Sequence, residues 1–319
     1  MRAELEIFRA LADPTRLRIV ALLRAMELSV GELAQVLGQS QPRVSRHVKI
    51  LVDAGLAERR KEGSWVFLGL GDSARVRPLL NAIDGWSEDG EDHWMRADIA
   101  RLEAVRADRQ AAAQAYFAAH AEQWDAIRSL HVAESEVEAA MARALNTDEI
   151  GRLVDIGTGT GRMLELFAGR ADSAIGIDRS PEMLRLARAK LAEAELDTVE
   201  IRQGDMYALA LPGGTTDTVI LHQVLHYAQQ PGAAIAEAAR LLDNDGRLLI
   251  VDFAAHERED LRSEAAHARL GFSDEQIAKW FGDAGIEGGL FEELEGGALT
   301  VKLWLGRRKA DRRLKVVAA

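Results

Sequence analysis

The chain contains 319 residues, carries a formal net charge of -11 and has no cysteine. A single hydrophobic core stops growing at roughly 250 to 300 residues, so the length predicts two domains. The lack of cysteine excludes disulfides and thiolate metal sites. No apolar run approaches the roughly 18 residues of a membrane span, so the sequence predicts a soluble, cytoplasmic protein that makes no membrane contact.

The charge is unevenly distributed along the chain. Residues 1–80 contain 13 Lys/Arg and 9 Asp/Glu, whereas the remaining residues contain 27 Lys/Arg and 42 Asp/Glu. A nucleic acid is attracted by a positive field. Only the N-terminal part can therefore offer a surface that favours phosphates.

The N-terminal segment predicts two helices joined by a short connection. Pro14 suits a first helical turn, and apolar residues follow it at helical spacing. Ser29 and Glu32 form a capping box that starts the next helix, and Gly38 is placed to end it in the left-handed conformation. The apolar residues predicted to be buried in the first helix are Leu17, Val20, Ala21 and Leu23.

A third helix is predicted to begin at Ser40, with Pro42 in its first turn and Val44, Val48 and Leu51 buried at helical spacing. Its opposite face is basic and rich in hydrogen-bonding groups, which is what a DNA major groove accepts. The residues assigned to DNA contact on this face and its margins are Ser40, Gln41, Arg43, Ser45, Arg46, His47 and Lys49.

Residues 56–70 alternate in polarity on both sides of Glu62 and Gly63, which predicts a β-hairpin wing. Arg59, Arg60 and Lys61 are assigned to backbone phosphates. Six basic residues and two acidic residues fall within residues 39–61. The order helix, turn, helix, wing favours DNA binding, while the alternative that these are solvated surface cations stays open.

Residues 1 to about 75 resemble the ArsR/SmtB family of winged helix-turn-helix regulators, in ADPTRLRIVALL, SVGELAQVLGQSQPRVSRHVKIL and DAGLAERRKEGSWVFLGL. The resemblance implies a homodimer that leaves its double-stranded DNA operator when an effector binds. Many relatives sense metals through cysteines at the start of the helix that contains Glu32, where this chain has Leu28, Ser29, Val30 and Gly31. We therefore expect no metal site.

Residues 73–144 are alanine-rich and almost free of glycine, which predicts connecting helices. In the resembled family the helix after the wing packs against the dimer mate, and we expect the same of residues 76–86. Gly85 and the acidic residues 88–92 mark a break, after which a long helix is predicted to about Gln110. An aromatic stripe follows, and its spacing favours core packing over cofactor lining; its members are Tyr116, Phe117, Trp124, Ile127 and Leu130.

Residues 153–157 form a short apolar strand that leads into a glycine loop and then a helix over residues 163–168. This order presents backbone amides and a helix N-terminus to a ligand. Gly157 is assigned to the turn, Gly159 to close approach of the ligand, and Gly161 to packing of the helix near the strand. The next strand ends in Asp178, where an acid faces two ribose hydroxyls. A nicotinamide dehydrogenase shares these elements, but its third glycine would replace Arg162.

Further strands are predicted near residues 199–203 and over residues 217–222, 247–253 and 299–305, with a partner strand at 288–291. Ligands bind at the carboxyl ends of the strands in open α/β sheets. Asp205 and Met206 follow one of these ends, and His222 and His226 lie at another. The sequence therefore predicts an α/β domain with a Rossmann-like sheet.

Residues 113–306 resemble class I S-adenosylmethionine-dependent methyltransferases, in D-x-G-x-G-x-G from Asp155 and in the strands that follow, and are closest to small-molecule enzymes of the ubiquinone-biosynthesis type. The resemblance implies that S-adenosylmethionine (SAM) or S-adenosylhomocysteine (SAH) is bound. It assigns the amino-acid end of SAM or SAH to Asp155, Gly157, Thr158, Gly159 and Gly161, and the ribose of that ligand to Asp178. The adenine ring is assigned to Arg179, Met183, Asp205 and Met206, and the floor of the pocket to the backbone of His222. It also implies Tyr116, Arg128 and His226 as pocket candidates. For the three acids, helix capping or turn formation is the alternative.

No residue in the sequence identifies a methyl acceptor, so the catalytic residues stay unknown. Methyl transfer needs a base only when the nucleophile carries a proton. The residues able to act as one, or to be purely structural, are His222, His226, Tyr227, His131 and His256.

These patterns predict a DNA-binding domain over residues 1–75, a helical connector for dimerisation over 76–112 and a methyltransferase-like domain over 113–319. The combination resembles bacterial regulators of the methionine cycle that respond to SAH, and it implies a repressor with SAH or SAM as effector. The alternative is an active small-molecule methyltransferase tethered to a DNA-binding domain. A metal or arsenic sensor would need ligand clusters that the sequence lacks.

Overall fold

The computed structural model describes residues 2–62, 65–86, 93–124, 133–145, 150–196 and 199–309. The chain divides into two compact units, Met1–Ala112 and Ala113–Ala319. Arg128 and His131, two residues singled out in the sequence, lie outside the described residues.

The first unit contains helices and a small antiparallel sheet with the strand order β1-β3-β2. Its elements are α1 (Arg2–Leu11), α2 (Pro14–Ala25), β1 (Leu28–Ser29), α3 (Val30–Leu37), α4 (Gln41–Asp53), β2 (Ala57–Glu62), β3 (Trp65–Leu70), α5 (Ser73–Trp86) and the first turns of α6 (His93–His120). Helices α3 and α4 and the β2–β3 hairpin confirm the predicted helix-turn-helix and wing.

Local capping signals set the ends of α3. The Ser29 side chain accepts from the backbone N–H of Glu32, and the Glu32 carboxylate accepts from the backbone N–H of Ser29, so the predicted capping box is present. Gly38 ends the helix at φ 64° and ψ 35°, in the left-handed region. Ser40 stands at the N-cap of α4, as predicted, but its side chain makes no capping hydrogen bond.

The buried face of α2 differs from the prediction. Leu17 is 41% exposed, whereas Ile19 and Leu22 are buried. Thr15, Ile19 and Leu22 are three or four residues apart and therefore share one helix face, and Leu17 points away from it. The remaining buried residues of this helix are Val20 and Leu23.

Helix α6 is longer than predicted. It continues past Gln110 to His120, because the segment after Gln110 contains neither glycine nor proline and is rich in alanine, the best helix former. Tyr116 and Phe117 therefore lie on this helix. One helix thus contributes residues to both compact units.

The second unit is built on a seven-stranded sheet with the order β6-β5-β4-β7-β8-β10-β9. Its elements are α7 (Glu134–Ala144), β4 (Gly151–Ile156), α8 (Arg162–Phe167), β5 (Ala171–Asp178), α9 (Pro181–Glu193), β6 (Glu200–Gln203), β7 (Thr216–His222), α10 (Pro231–Leu241), β8 (Leu242–Phe253), α11 (Asp260–Glu264), α12 (Asp274–Asp283), β9 (Ile286–Leu294) and β10 (Val301–Arg308). Strand β10 runs antiparallel to β8 and β9, and the other pairings are parallel. The predicted strands are confirmed.

Both faces of this sheet are covered by apolar side chains. Along β7, Val219 and Leu221 pack into one hydrophobic cluster and Ile220 packs into the other. Along β8, Leu248 and Leu249 divide in the same way. Successive side chains of a strand point to opposite faces, which explains why these strands read as continuous apolar runs. In the described parts of the chain, no helix has the length and apolar character of a membrane span.

Candidate functional site

The outer face of α4 carries the predicted DNA-reading side chains. Gln41, Arg43, Arg46 and Lys49 are exposed, as is Ser40 at the N-cap, and Ser45 is half-buried. The opposite face is anchored by residues that are fully buried, namely Val44, Val48 and Leu51. The helix therefore holds a basic, hydrogen-bonding surface on a rigid support, which is the arrangement that reads a major groove.

His47, also assigned to DNA contact, is less exposed than its neighbours on α4. Its side chain is only 15% exposed, and its Nδ1 lies 3.7 Å from Oδ1 of Asp13. Asp13 is also the N-cap of α2, where its carboxylate accepts from the backbone N–H of Arg16. His47 therefore connects α4 to the start of α2, and little of its side chain is left exposed for DNA.

The three basic residues of the wing do not share one role. Arg59 and Lys61 are exposed, whereas the Arg60 guanidinium pairs with the Glu27 carboxylate and lies 5.9 Å from the centre of the Phe67 ring. Successive strand residues point to opposite faces, so three neighbours cannot all meet one phosphate backbone. Arg59 and Lys61 are exposed and available to DNA, whereas Arg60 ties the wing to Glu27, the residue before β1.

A buried carboxylate joins α6 to the helix-turn-helix. Asp98 is 2% exposed and accepts from Arg18 Nε at 2.6 Å, from Arg18 Nη2 at 2.7 Å and from Arg101 Nη2 at 2.8 Å. The same arginines donate to the carbonyl oxygens of Val36 and Leu37. These carbonyls belong to the last turn of α3, which has no partners within its own helix. No local pattern of residues indicates this cluster, because Arg18 and Asp98 are 80 positions apart.

The glycine loop of the second unit follows β4 and has three residues at positive φ. Gly157, Gly159 and Gly161 have φ values of 75°, 53° and 86°, which residues other than glycine rarely adopt. A Cβ on Gly157 would lie 2.3 Å from Cγ2 of Val224. A Cβ on Gly161 would lie 3.2 Å from Cβ of Ala187 in α9. Gly161 therefore permits packing against α9, and not the helix-to-strand approach that the sequence predicted for it.

The close approach of helix and strand is made by a glycine that sequence reasoning missed. A Cβ on Gly176 of β5 would lie 2.5 Å from Cδ1 of Leu164 in α8 and 2.9 Å from Oγ1 of Thr158. Gly176 therefore lets both the loop and α8 rest on the sheet. Its signal in the sequence was a single glycine inside an apolar strand, which marks a close approach of neighbouring groups.

Asp178 at the end of β5 is tied to the glycine loop. Its Oδ2 accepts from the Gly159 backbone N–H at 2.9 Å, and its Oδ1 accepts from the Ser180 backbone N–H at 2.8 Å. Burial raises the pKa of Asp178, and the amides of Ser180, Gly159 and Arg179 oppose that rise. The turn-forming role left open in the sequence is therefore present, and it fixes the acid against the loop.

The loop fits an adenosyl ligand. Thr158 is 4% exposed, and its buried hydroxyl oxygen has no hydrogen-bond partner among the described residues. Asp155, also assigned to the amino-acid end, is 1% exposed at the end of β4. A Cβ on Gly159 would lie 3.4 Å from the indole nitrogen of Trp124, so the missing side chain leaves room beside the loop. The amides of Gly157 and Thr158 donate to the Ile177 carbonyl oxygen, and that of Gly161 donates to the Thr158 carbonyl oxygen, so the loop is held in shape by internal hydrogen bonds. What suits a nucleoside ligand is therefore the acid at the end of β5 beside a loop without side chains at three positions.

The other assigned residues lie at the same edge of the sheet. Strands β6, β5, β4 and β7 are parallel neighbours, so their carboxyl ends lie along one edge of the sheet. Each assigned group is the last residue of one of these strands or follows it closely: Asp205 after β6, Asp178 in β5, the loop after β4 and His222 in β7. Asp205 accepts from the backbone N–H of Tyr207 at 3.1 Å and so closes a turn. Met206 is partly buried against the core, Arg179 is exposed, and His222 is 7% exposed.

An aromatic cluster lies beside the loop. Trp124 and Met183 are buried together, with Tyr116, Phe117 and Tyr227 packed against them. The Phe117 and Tyr227 rings are 4.8 Å apart in an edge-to-face arrangement, and burial raises the pKa of Tyr116. Tyr116, Phe117 and Trp124 are therefore part of a packed cluster, as the spacing of the stripe favoured, and Trp124 lies beside Gly159. Ile127 and Leu130, the other members of the stripe, lie outside the described residues.

His226 forms a pair that the sequence did not predict. Its Nδ1 lies 2.8 Å from Oδ1 of Asp252, and its backbone N–H donates to Oδ2 at 3.2 Å. His226 is 2% exposed and Asp252 is fully buried. An acid at the end of a buried strand, as in VDF over residues 251–253, was the available signal. Across the described ranges, no cluster of three or more His, Cys, Asp or Glu is arranged to hold a metal ion.

Comparison with known proteins gives separate matches for the two units. Residues 13–59 match the family of bacterial regulatory proteins described as the arsR family. Over 102 residues the chain is 37% identical to the arsenical resistance operon repressor of Escherichia coli (strain K12), covering 32% of this chain and 80% of the repressor. This share of a shorter relative establishes the family of the N-terminal part.

Residues 154–250 match a methyltransferase domain. Over 139 residues the chain is 36% identical to the phosphatidylethanolamine N-methyltransferase of Cereibacter sphaeroides, covering 43% of this chain and 66% of that enzyme. It is 30% identical to the uncharacterized methyltransferase YcgJ of Bacillus subtilis (strain 168), covering 39% of this chain and 49% of that protein. The chain thus spans about two thirds or less of these methyltransferases.

A solved structure supports the fold of the second unit. A chain of the complex between the Haloferax volcanii Trm112 methyltransferase activator and a methyltransferase matches with a TM-score of 0.51 at 19% identity, covering 63% of this chain and all of that one. The sheet order and the loop after β4 agree with the class I methyltransferase fold. The chain therefore belongs to the ArsR family of bacterial regulatory proteins, and a methyltransferase domain follows its ArsR-type DNA-binding domain.

Proposed function

We propose that this chain is a transcriptional repressor whose affinity for operator DNA is changed by SAH or SAM bound in the methyltransferase domain. One observation carries the proposal: the basic face of α4 and the Asp178–Gly159 hydrogen bond that shapes an adenosyl loop occur in one chain. Repression is inferred from the Escherichia coli relative, which is named as an operon repressor. Its arsenical signal is not transferred, because this chain has no cysteine.

Helix α6 offers a physical basis for coupling the two activities. Asp98 on this helix is ion-paired to Arg18 of α2, and Phe117 on the same helix packs against Trp124 and Tyr227 beside the glycine loop. A ligand that repositions these rings therefore acts on the helix that supports the DNA-reading helices. Coupling between two sites typically amounts to about 1 to 3 kcal/mol.

The proposal includes a homodimer. Large apolar side chains are exposed on three helices of the first unit, namely Leu5 and Phe8 of α1, Leu17 of α2 and Ile99 of α6. Exposed apolar groups of this kind mark protein contacts. A dimer also places two recognition helices on one DNA duplex. Such a regulator would act in the cytoplasm, where bacterial DNA is found.

The test uses the full chain and an operator selected from random duplex DNA. Fluorescence anisotropy would measure operator affinity without ligand, with SAM and with SAH, while calorimetry confirms that each ligand is bound. We expect a change of roughly 5- to 150-fold with SAH, in the direction of release. The Asp178→Ala variant should bind DNA normally and lose the response. The effector role would be refuted if calorimetry shows that SAH and SAM saturate the protein and the operator affinity is nevertheless unchanged.

A further inference from the structure

His226 and Asp252 form a buried pair that is held by several hydrogen bonds. Asp252 Oδ1 accepts from His226 Nδ1 and from the Phe253 backbone N–H, each at 2.8 Å, and Oδ2 accepts from the His226 backbone N–H. Both side chains are almost completely buried. The imidazole ring is therefore fixed in position by a carboxylate that is itself fixed.

The pairing determines which ring nitrogen carries the proton. A carboxylate oxygen accepts hydrogen bonds, so Nδ1 must be the N–H of the neutral ring and Nε2 holds the lone pair. The carboxylate of Asp252 engages Nδ1 and the backbone N–H of His226, and neither contact involves Nε2. The ring therefore presents a fixed proton acceptor.

The imidazole lies at the ligand-binding edge of the sheet. Asp252 is near the carboxyl end of β8 and His226 follows β7. Val224 of the same short segment contacts Gly157 of the loop. The Tyr227 ring is 4.0 Å from the His226 ring and, on its other side, packs against Phe117. His226 is thus separated by one aromatic ring from the cluster beside Gly159.

We propose that His226 is the general base of a methyl transfer to an acceptor whose nucleophilic atom carries a proton, and that Asp252 is its positioning residue. The proposal rests on the SAM binding proposed above. The acceptor atom forms a bond to the methyl carbon, the carbon–sulfur bond of SAM breaks and its electron pair stays on sulfur. The acceptor proton passes to Nε2 of His226. The products are the methylated acceptor, SAH and an imidazolium beside Asp252.

The surrounding groups suit this charge movement. The positive charge passes from the sulfonium to the imidazolium, which then faces the carboxylate of Asp252. The other neighbours of the ring are His267 at 4.3 Å, Phe253 at 4.9 Å and Tyr227. Burial holds the pKa of Tyr227 well above its usual range, so the phenol remains neutral. A base oriented by a buried acid follows the same logic as the acid-oriented histidine of hydrolases.

The first measurement needs no variant. Long-range proton–nitrogen NMR on the histidines of the full chain reports which ring nitrogen is protonated, and assignment uses the signal lost in His226→Gln. We expect the Nδ1–H form in the wild type and loss of that preference in Asp252→Asn. A wild-type signal from the Nε2–H form overturns the proposal, because that nitrogen could not accept a proton.

The second measurement follows tritium from methyl-labelled SAM to a phenol, a thiol and ethanolamine. Ethanolamine is included because one relative is named as a phosphatidylethanolamine N-methyltransferase. We expect His226→Gln to slow transfer by roughly 100- to 10,000-fold and Asp252→Asn to slow it at least tenfold, with SAM affinity unchanged. Asp172→Asn, an exposed acid in β5, is the matched control and should transfer normally.

Two results of the transfer assay overturn the proposal. One is a His226→Gln protein that transfers as fast as the wild type, and the other is a SAM-saturated wild type that methylates none of the three acceptors. Either result leaves the effector role untouched. Failure of both SAM and SAH to bind would instead refute the proposed function and this proposal with it.

Discussion

Asp178 is the residue whose replacement tests the proposed ribose site most directly. Its two carboxylate oxygens accept from the backbone amides of Gly159 and Ser180 at 2.9 and 2.8 Å. An ionised carboxylate offers about four acceptor sites, so the ribose hydroxyls can still be bound. Asp178→Ala removes all of these interactions, and Asp178→Asn keeps one oxygen but removes the charge.

The size of the effect follows from these contacts. A hydrogen bond to a charged group contributes about 1.5 to 3 kcal/mol, so losing the ribose interaction should weaken SAH binding by roughly 10- to 150-fold. Alanine also leaves the Gly159 and Ser180 amides without their acceptor, which costs about 1 to 3 kcal/mol of unfolding free energy. Asparagine should lose ligand affinity while preserving more of the stability.

The pH dependence has opposite signs for the two properties. Burial raises the folded-state pKa of Asp178 above its usual 3.8. The group's contribution to stability is therefore fully present below the unfolded pKa and is lost as pH rises through the folded pKa. Acidification should thus raise the stability of the wild type relative to Asp178→Asn. The same protonation should weaken SAH binding by the wild type, because a neutral carboxyl is a poorer acceptor.

Calorimetry with SAH and urea unfolding, each from pH 4 to pH 8, would test this reasoning on the wild type and both variants. Asp172→Asn in the same strand is the control, because Asp172 is exposed and should change neither property. A folded Asp178→Ala protein that binds SAH as tightly as the wild type would falsify the assignment of this acid to the ribose.

Two further predictions concern packing and DNA. Gly176→Ala should lower the unfolding free energy in urea by about 1 to 3 kcal/mol through overpacking, whereas Gly169→Ala, whose new Cβ would meet nothing within 4 Å, should be near neutral; equal effects would contradict the close approach. In operator titrations over a range of salt concentrations, Arg43→Ala should reduce the binding free energy for the cognate sequence by roughly 1 to 3 kcal/mol. Arg59→Ala should weaken binding to all DNA sequences and lower the slope of log affinity against log salt concentration by about 1. Arg60→Ala should leave that slope unchanged, since its guanidinium is paired with the Glu27 carboxylate, and a slope lowered as in Arg59→Ala would show that it contacts phosphate.

The features predicted well from the sequence are those that depend on residues close together in the chain. The capping box of Ser29 and Glu32 joins residues three apart, and the left-handed cap at Gly38 depends on one residue. The loop after β4 follows from a short apolar strand and three glycines. Patterns of this kind specify their own backbone conformation, so no knowledge of the remaining chain is needed.

The features missed depend on residues brought together only by folding. Arg60 meets Glu27 across 33 positions, His226 meets Asp252 across 26, and Arg18 meets Asp98 across 80. A basic residue has the same appearance in the sequence whether it faces a phosphate or a distant carboxylate. Sequence patterns could therefore nominate surfaces and loops, but they could not say which charges are already neutralised within the protein.

The boundary between the two compact units, at Ala112 and Ala113, falls inside α6. Separating the protein at this point would expose four backbone carbonyls on one fragment and four backbone amides on the other, with no capping residue to satisfy them. Each fragment would also begin or end in a fraying helix, since short helix ends are marginal in water. Fragments that each keep the whole of α6 are therefore the meaningful way to divide this protein, because neither half then loses the hydrogen bonds of its helix end.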